Sequence, residues 1–242
     1  LPEGDWNLLS ASKILVHAPE LFDNSLLLNL CDEKNKSLHI NNLNKVCEFS
    51  RKLSKKIGIE HKVQIITNIG GYSTHSFKSS NEKHYLYQSV AENLKSIEED
   101  NCEIIIQNMA PFPWHFGGQR YQNIFAYADE IIDFCISNNR RIALDTAHLS
   151  MHCKFRGENF VESLNKLKAV TAHWHMSDAE GINGEGVAMG NGNVNFKKIM
   201  GILDQEQSFI VETWQGHKNL GEGFYRDLKY LLNCQKSFLN NL

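Results

Sequence analysis

The sequence predicts an α/β protein in which a parallel sheet is covered by helices, and three observations support this class. Short apolar runs alternate with amphipathic segments along most of the chain. The runs are nearly continuous, as is typical of parallel strands that are buried on both faces. Several of them end at a carboxylate, amide or imidazole side chain. Because the carboxyl ends of strands carry the chemistry in parallel α/β folds, these end residues are the first candidates for a functional site.

The strands and helices follow in strict alternation. Apolar runs predict strands at residues 13–16, 63–67, 103–108, 142–144, 169–176 and 209–213. Helical spacing of apolar residues predicts helices at residues 41–58, 85–97, 124–136, 160–167, 196–203 and 224–232. The expected apolar face of the first helix consists of Leu43, Val46, Phe49, Leu53 and Ile57.

Length and composition fit one ordinary globular domain. The chain has 242 residues, of which 42% are hydrophobic and 22% charged. It shows no repeat and no linker, so residues 1–242 are predicted to form a single domain. A closed barrel of alternating strands and helices needs about eight strands, and only about six are found. Either two N-terminal strand–helix units are missing from the chain, or the barrel is open and has six units.

Several functional classes are disfavoured. No apolar run reaches the length of a membrane span. The formal charge is −3, and an excess of basic residues that would attract nucleic acid is missing from the sequence. Neither a membrane nor a nucleic acid is therefore an expected partner. The six cysteines contain no Cys-x-x-Cys pair, and Cys47, Cys102 and Cys135 lie in apolar patterns. We therefore expect reduced thiols and a cytoplasmic location.

Polar residues at the predicted strand ends form an ordered series of candidate site residues. A buried carboxylate is costly unless it is paired or binds a metal, and imidazole is both a common metal ligand and an acid–base group. In chain order the series is His17, Asn68, Gln107, Asp145 with His148, His175 with Asp178, and Glu212.

Five motifs in this series resemble one known family. They are Ile14-Leu-Val-His17, Leu144-Asp-Thr-Ala-His148, His175-Met-Ser-Asp178, the glycine-rich residues 190–196, and Ile210-Val-Glu212. Together they are similar to the xylose isomerase-like TIM barrels, a superfamily of sugar isomerases and epimerases that also includes endonuclease IV. The resemblance covers nearly the whole chain from residue 13. It implies a TIM (β/α)8-type barrel whose first two βα units are absent from this chain.

The resemblance also implies a metal site. Sugar isomerases and epimerases of this family bind one divalent metal through four strand ends, which correspond here to Gln107, Asp145, His175 and Glu212. Gln107 departs from the family pattern, which has Glu there, and its neutral carbonyl is a weaker ligand than a carboxylate. The donor set allows Mn, Mg, Co or Zn and does not choose among them.

The implied activity is isomerisation or epimerisation of a sugar or sugar phosphate through an enediolate. In this scheme Glu212 is both ligand and base, and His148 is a second catalytic, substrate-facing group. Gln107 does not ionise, so it cannot supply the second base of a two-face epimerase. One-base isomerisation, dehydration or hydrolysis then remain open. The alternative is a catalytically decayed barrel that serves as a sugar-binding or assembly module, and such a barrel should be free of metal.

The endonuclease branch of the family is disfavoured by its missing ligands. His17 is retained, but Asn68, Gly184 and Gly186 stand where the resemblance places the nuclease's further His and Asp ligands. Too few ligands remain for a three-metal cluster. We therefore expect no cleavage of abasic DNA.

Further residues are predicted to bind the substrate. Trp114 and His115 lie in the aromatic loop at residues 111–118 and are placed to cover a sugar ring, unless the loop simply packs on the protein. His217 and Lys218 lie in the glycine-rich loop at residues 214–223, which is either a phosphate site or an ordinary turn. His17 and Asp178 are predicted to contact substrate or to have a structural role. The oligomeric state is left open, with a homo-oligomer among the alternatives.

Overall fold

A computed structural model describes residues 13–22, 26–115, 117–204 and 207–239, so Phe116 of the predicted aromatic loop lies outside the described residues. The elements are, in chain order, β1 (Leu15–His17), β2 (Leu21–Phe22), β3 (Leu26–Leu27), α1 (Lys36–Ile57), β4 (Val63–Thr67), β5 (Tyr72–Ser73), α2 (Ser80–Leu94), β6 (Cys102–Gln107), β7 (Trp114–His115), β8 (Gly118–Gln119), β9 (Tyr121–Gln122), α3 (Ala128–Asn138), β10 (Ile142–Asp145), α4 (Thr146–Arg156), α5 (Phe160–Leu167), a 3₁₀ turn (Lys168–Val170), β11 (Thr171–Met176), β12 (Asp178–Glu180), β13 (Gly184–Val187), α6 (Phe196–Met200), β14 (Ser208–Val211) and α7 (Lys218–Leu239).

The contacts within the chain divide it into two compact units. The first unit comprises Leu1–Gly71 and Ser79–Gln107, and the second comprises Tyr72–Lys78 and Asn108–Leu242. That residues 1–242 form a single domain stays a prediction. None of the helices in the described ranges combines the length and the apolar content that a membrane span requires.

In the first unit β1, β4 and β6 are parallel neighbours, with β4 in the middle. All five residues of β4 are buried, as the continuous apolar run predicts. The helix α2 begins with a capping box, in which Ser79 and Glu82 satisfy each other's backbone N–H groups. Gly58 ends α1 in the left-handed conformation, and its N–H group bonds to the Ser54 carbonyl.

The buried face of α1 differs from the predicted one. Phe49 was expected to face inward, but it is 44% exposed. The buried face turns instead toward Cys47, Ser50 and Ser54. The two serine hydroxyls donate to the carbonyls of Val46 and Ile59, so they are buried without an unsatisfied donor. Buried serines therefore occupy helix positions that the pattern of apolar residues predicts to be exposed.

In the second unit β10, β11 and β14 are parallel neighbours, with β11 in the middle. The register places Asp145 beside His175 and His175 beside Ile210. Glu212 follows β14 directly, and its N–H group continues the ladder by donating to the Met176 carbonyl at 2.9 Å. The carboxyl ends of the three strands therefore bring the three predicted ligands to the same edge of the sheet.

Among the elements of the second unit that were not predicted, a helix and a hairpin lie next to the candidate site. The helix α4 begins immediately after Asp145 instead of following a loop, and its residues from Thr146 to Cys153 are buried. The β12–β13 hairpin follows His175 directly and pairs Asp178 with Val187. Both elements lie next to the predicted strand ends, so they shape the surroundings of the candidate site.

Candidate functional site

Asp145, His175 and Glu212 form a compact cluster at the carboxyl ends of β10, β11 and β14. One potential ligand atom of each residue lies within 4.8 Å of those of the other two. Asp145 and His175 are buried, whereas the Glu212 side chain is 34% exposed. The sequence-based expectation that these side chains converge therefore agrees with the geometry. The cluster offers two carboxylate oxygens and one imidazole nitrogen, a donor set that suits a divalent cation.

Asp145 is fixed by the backbone around it. Its Oδ1 accepts the His148 N–H group at 2.9 Å and so caps α4. Its own backbone is held by the Asn108 side chain, which accepts the Asp145 N–H group at 2.6 Å and donates to the Asp145 carbonyl at 3.1 Å. Burial raises the pKa of the Asp145 carboxyl, with the His148 charge opposing and the Glu212 charge adding to the shift. A bound cation would relieve this cost.

His175 and Glu212 make the closest contact of the cluster. The Nδ1 atom of His175 lies 2.8 Å from Oε2 of Glu212. An N–H group at Nδ1 of His175 would donate a hydrogen bond to this oxygen, whereas a lone pair at Nδ1 would need a cation between the two atoms. The pair is therefore arranged either as a hydrogen bond from His175 to Glu212 or as two ligands of one cation.

His148 lies beside the cluster between three oxygen-bearing groups. Its Nδ1 donates to the Asn108 carbonyl at 2.8 Å and lies 3.5 Å from Oδ2 of Asp145, while its Nε2 lies 3.2 Å from Oε1 of Glu185. Burial by itself would lower the pKa of His148, but the Asp145 and Glu185 carboxylates outweigh it and raise the pKa to about 10. The His148 charge in turn lowers the pKa of Glu185. His148 is therefore held as a cation next to the cluster.

Gln107 and His17 form a pair within the first unit. His17 Nδ1 donates to the Ala18 carbonyl at 2.8 Å, and its Nε2 lies 3.1 Å from the Gln107 amide. The Gln107 atom nearest to this nitrogen is the amide oxygen Oε1. The predicted roles of Gln107 as a metal ligand and of His17 in substrate binding stay predictions.

Asp178 bonds to the backbone of the glycine-rich loop. It is fully buried, and its two carboxylate oxygens accept four backbone N–H groups at 2.8–3.0 Å. The donors are Ala179, Gly190, Gly192 and Val194. Asp178 therefore organises the loop of the glycine-rich motif, and its role in substrate binding stays a prediction.

The predicted loop residues differ in how the structure places them. Trp114 is 70% exposed in the β7–β8 hairpin, and the His115 ring packs 5.0 Å from the Tyr72 ring. His217 is the last residue before α7 and Lys218 is the first residue of α7, and both are exposed. The roles of these four residues in substrate binding stay predictions.

Two residues of the site were missed from the sequence. Asn108 follows Gln107 and was predicted only as the end of a strand. The sequence pattern does not show that its side chain accepts a hydrogen bond from the Asp145 N–H group. Glu185 lies between the two glycines that mark lost nuclease ligands. The only signal in the sequence was a carboxylate between two glycines in a predicted loop. The fold then brings Glu185 into contact with His148.

The fold and the cluster define a class: an α/β protein whose parallel strands bring metal-type side chains together at their carboxyl ends. The sequence profile of the xylose isomerase-like TIM barrels matches residues 9–234, and the chain belongs to this family. The predicted family and TIM-type α/β fold are thereby confirmed. That two βα units are missing stays a prediction.

Solved structures agree with this assignment. A D-tagatose 3-epimerase-like protein is 18% identical with a TM-score of 0.66, covering 95% of this chain and 79% of that one. The IOLI protein with a bound zinc atom is 18% identical with a TM-score of 0.60, covering 93% and 77%. Endonuclease IV from Thermus thermophilus is 16% identical with a TM-score of 0.56, covering 95% and 77%. At these identities the likeness shows the fold. No curated protein sequence matches the chain.

Proposed function

We propose that the chain is a divalent-metal-dependent isomerase or epimerase that acts on a sugar or sugar phosphate. The observation that carries the proposal is the Asp145–His175–Glu212 cluster, whose ligand atoms lie within 4.8 Å of one another. The family and the epimerase-like structural relative support a sugar as substrate, and the zinc-bound relative supports a metal. Mn, Mg, Co and Zn remain the candidate ions, because the donor set suits each of them.

The residues of the cluster fit a cation for two electrostatic reasons. Burial raises the pKa of Asp145, so its charged form is costly without a positive partner. His175 Nδ1 and Glu212 Oε2 face each other at 2.8 Å, so the Glu212 charge and a His175 lone pair would both favour a cation bound between them. A divalent ion held here would act as a Lewis acid that polarises the substrate carbonyl.

The chain's own residues supply the proton chemistry in this proposal. Glu212 is partly exposed, so it can reach the substrate, and it takes the proton from the carbon next to the carbonyl. His148 is buried as a cation beside the cluster and stabilises negative charge that develops on substrate oxygen. Asn108 and the N-cap of α4 keep Asp145 in place, which fixes the geometry before substrate enters.

The second candidate is a decayed barrel that binds sugar or a partner without catalysis. Gln107 favours it, because a neutral amide occupies the place of a family carboxylate. The two candidates differ in metal content. An active enzyme retains about one equivalent of divalent metal after purification and chelator-free dialysis, whereas a decayed site does not.

The test combines metal analysis with proton exchange. The protein is titrated with Mn²⁺ and Zn²⁺ by calorimetry, and a panel of free and phosphorylated ketoses is then incubated with it in D₂O. We expect stoichiometric binding that is lost in Asp145→Asn, and deuterium incorporation next to the carbonyl of at least one sugar. Metal binding without exchange would favour the binding module, and absence of both would end the enzyme proposal.

A further inference from the structure

Glu185 is a carboxylate at the edge of the site that has no role in the proposed ligand set. It lies in β13 between Gly184 and Gly186. Its side chain is 54% exposed, whereas the His148 side chain that it contacts is only 7% exposed. A carboxylate that faces solvent on one side and a buried imidazole of the site on the other is placed to meet a substrate that enters from solvent.

The hairpin that carries Glu185 is held in place from two directions. The Asn183 side chain accepts a hydrogen bond from Gln119 at 3.1 Å. The Gly186 carbonyl accepts the Trp214 N–H group at 2.8 Å. Gly186 has a φ of 71°, and a Cβ atom there would lie 3.2 Å from the Trp214 backbone nitrogen. The conformation around Glu185 is therefore defined by its neighbours and does not depend on the Glu185 side chain.

Glu185 and Glu212 reach the site from different elements of the fold. Glu212 follows β14 directly, and its Oε2 lies 2.8 Å from Nδ1 of His175. Glu185 lies in β13, and its Oε1 lies 3.2 Å from Nε2 of His148, which follows β10. The β12–β13 hairpin packs on α4, and the Gly186 carbonyl next to Glu185 accepts the Trp214 N–H group after β14. The two carboxylates therefore contact different imidazoles of the site.

We propose that Glu185 is the second acid–base carboxylate of the site and works on the side of the substrate away from Glu212. The inference rests on the proposed function and deepens it. Gln107 does not ionise, so it supplies no second base for exchange on both faces of a carbon. Glu185 supplies an ionisable group from another element of the fold.

The reaction balances without a further reagent. In one direction Glu212 takes the proton from the carbon next to the carbonyl, the C–H bond breaks, and its electron pair forms the double bond of the enolate. A proton then reaches the opposite face from the Glu185 side, carried by that carboxyl group, and the inverted centre forms. In the reverse direction Glu185 takes the proton. Both groups exchange protons with water between turnovers, and Glu185 does so through its exposed half.

The experiment compares Glu185→Gln and Glu185→Ala with Glu180→Gln. Glu180 is an exposed residue of β12 in the same hairpin, so it is a matched control for charge and location. Each protein is loaded with Mn²⁺ and incubated in D₂O with a panel of free ketohexoses and ketopentoses. Epimer formation and deuterium incorporation are followed separately by NMR. Mn²⁺ affinity is measured for every variant to show that the fold and the metal cluster are intact.

We expect Glu185→Gln to lose epimer formation by about 100-fold or more, as removal of a general acid–base group does, while deuterium exchange without inversion persists through Glu212. Formate should restore part of the epimer formation in Glu185→Ala, because the small acid fits the space that the side chain vacates. Glu180→Gln should behave as wild type. The role of Glu185 is wrong if Glu185→Gln forms the epimer within about twofold of the wild-type rate. It is also wrong if epimer formation falls only in proportion to a loss of Mn²⁺ affinity. Either result would leave the proposed function standing. A wild-type protein that exchanges no substrate proton overturns the proposed function together with the role of Glu185.

Discussion

At the scale of single residues, Asp145 combines two roles that a sequence pattern treats as alternatives. A carboxylate at a strand end reads either as a helix cap or as a metal ligand. In the structure one oxygen of Asp145 caps α4 at 2.9 Å, and the residue still belongs to the compact cluster with His175 and Glu212. The cap fixes the side chain, so its ligand position exists before any cation binds.

A pH dependence of metal stabilisation follows from the raised pKa of Asp145. The folded, metal-free protein binds this proton more tightly than the unfolded chain, so stability is lost as pH rises from the unfolded pKa through the raised folded value. A metal ion binds the deprotonated carboxylate, so the stabilisation that the metal gives should increase as pH rises over the same range. We expect the increase in Tm on adding Mn²⁺ to be larger at about pH 7.5 than at about pH 5. Scanning calorimetry checks this, and equal increases in wild type and Asp145→Asn would contradict it.

A second residue-scale prediction concerns Gln107, which the family resemblance predicts to be the fourth ligand of the metal. Restoring the family carboxylate by Gln107→Glu replaces a neutral oxygen donor with an anionic one. Affinity for a divalent metal should therefore rise by about tenfold or more, because a carboxylate is the stronger ligand. The comparison is a Mn²⁺ titration of wild type and variant, with Gln64→Glu as a control on the neighbouring strand β4. Unchanged affinity would mean that position 107 does not bind the metal.

At the scale of elements, the glycine-rich motif is explained by packing. A Cβ atom at Gly192 would lie 2.5 Å from Oδ1 of Asp178, and one at Gly190 would lie 2.6 Å from the Tyr230 ring. The glycines let the backbone approach the Asp178 carboxylate closely enough for four N–H groups to bond to it. The motif that signals the family in sequence is therefore a scaffold for the loop beside the site.

This scaffold predicts a large effect of Asp178 on stability. Asp178→Ala removes a buried carboxylate that accepts four backbone N–H groups, so it should lower the free energy of unfolding by roughly 3–5 kcal/mol. Asp129→Ala is the control, because Asp129 is exposed and pairs with Lys166 only at the surface, and it should cost less than about 1 kcal/mol. Urea unfolding measures both variants. Similar small losses in the two proteins would contradict the scaffold role.

The elements that were predicted well and those that were missed differ physically. β4, β6 and β10 are buried and mostly apolar, so their composition predicts their burial. β11 is equally buried although it contains two histidines and a threonine. The β12–β13 hairpin contains Gly184 and Gly186 and little apolar surface, so it has no periodic signal. The start of α4 was missed because Asp145 ends a strand and caps a helix without any intervening loop. The side of α1 that packs was misjudged at Phe49, because buried serines bonded to the backbone are not apolar.

At the scale of the whole molecule, the order of the strands together with the family resemblance predicted which strand ends carry the cluster, because parallel strands place their carboxyl ends at one edge. It did not predict which loop side chains return to that edge. Glu185 and His148 are far apart in sequence, and only the hairpin geometry brings them into contact. Side chains on regular strands were therefore predictable, whereas those on connecting segments required the fold.

The last prediction separates this chain from the nuclease branch of its own family. Three positions where the resemblance places nuclease ligands carry Asn68, Gly184 and Gly186, and the net charge of −3 gives no general attraction to DNA. The two glycines are also structurally constrained, since a Cβ atom at Gly184 would lie 2.6 Å from the Glu180 carbonyl and one at Gly186 would lie 3.2 Å from Trp214.

We therefore expect no incision of a duplex that contains an abasic site, with Zn²⁺ or with Mn²⁺. We also expect that Gly184→Asp with Gly186→His does not create the activity, because the backbone at these positions has no room for the new side chains. A gel assay on a labelled abasic duplex, with an endonuclease IV as positive control, measures both. Metal-dependent incision by the wild-type chain would show that the cluster of Asp145, His175 and Glu212 supports phosphodiester hydrolysis without the additional ligands.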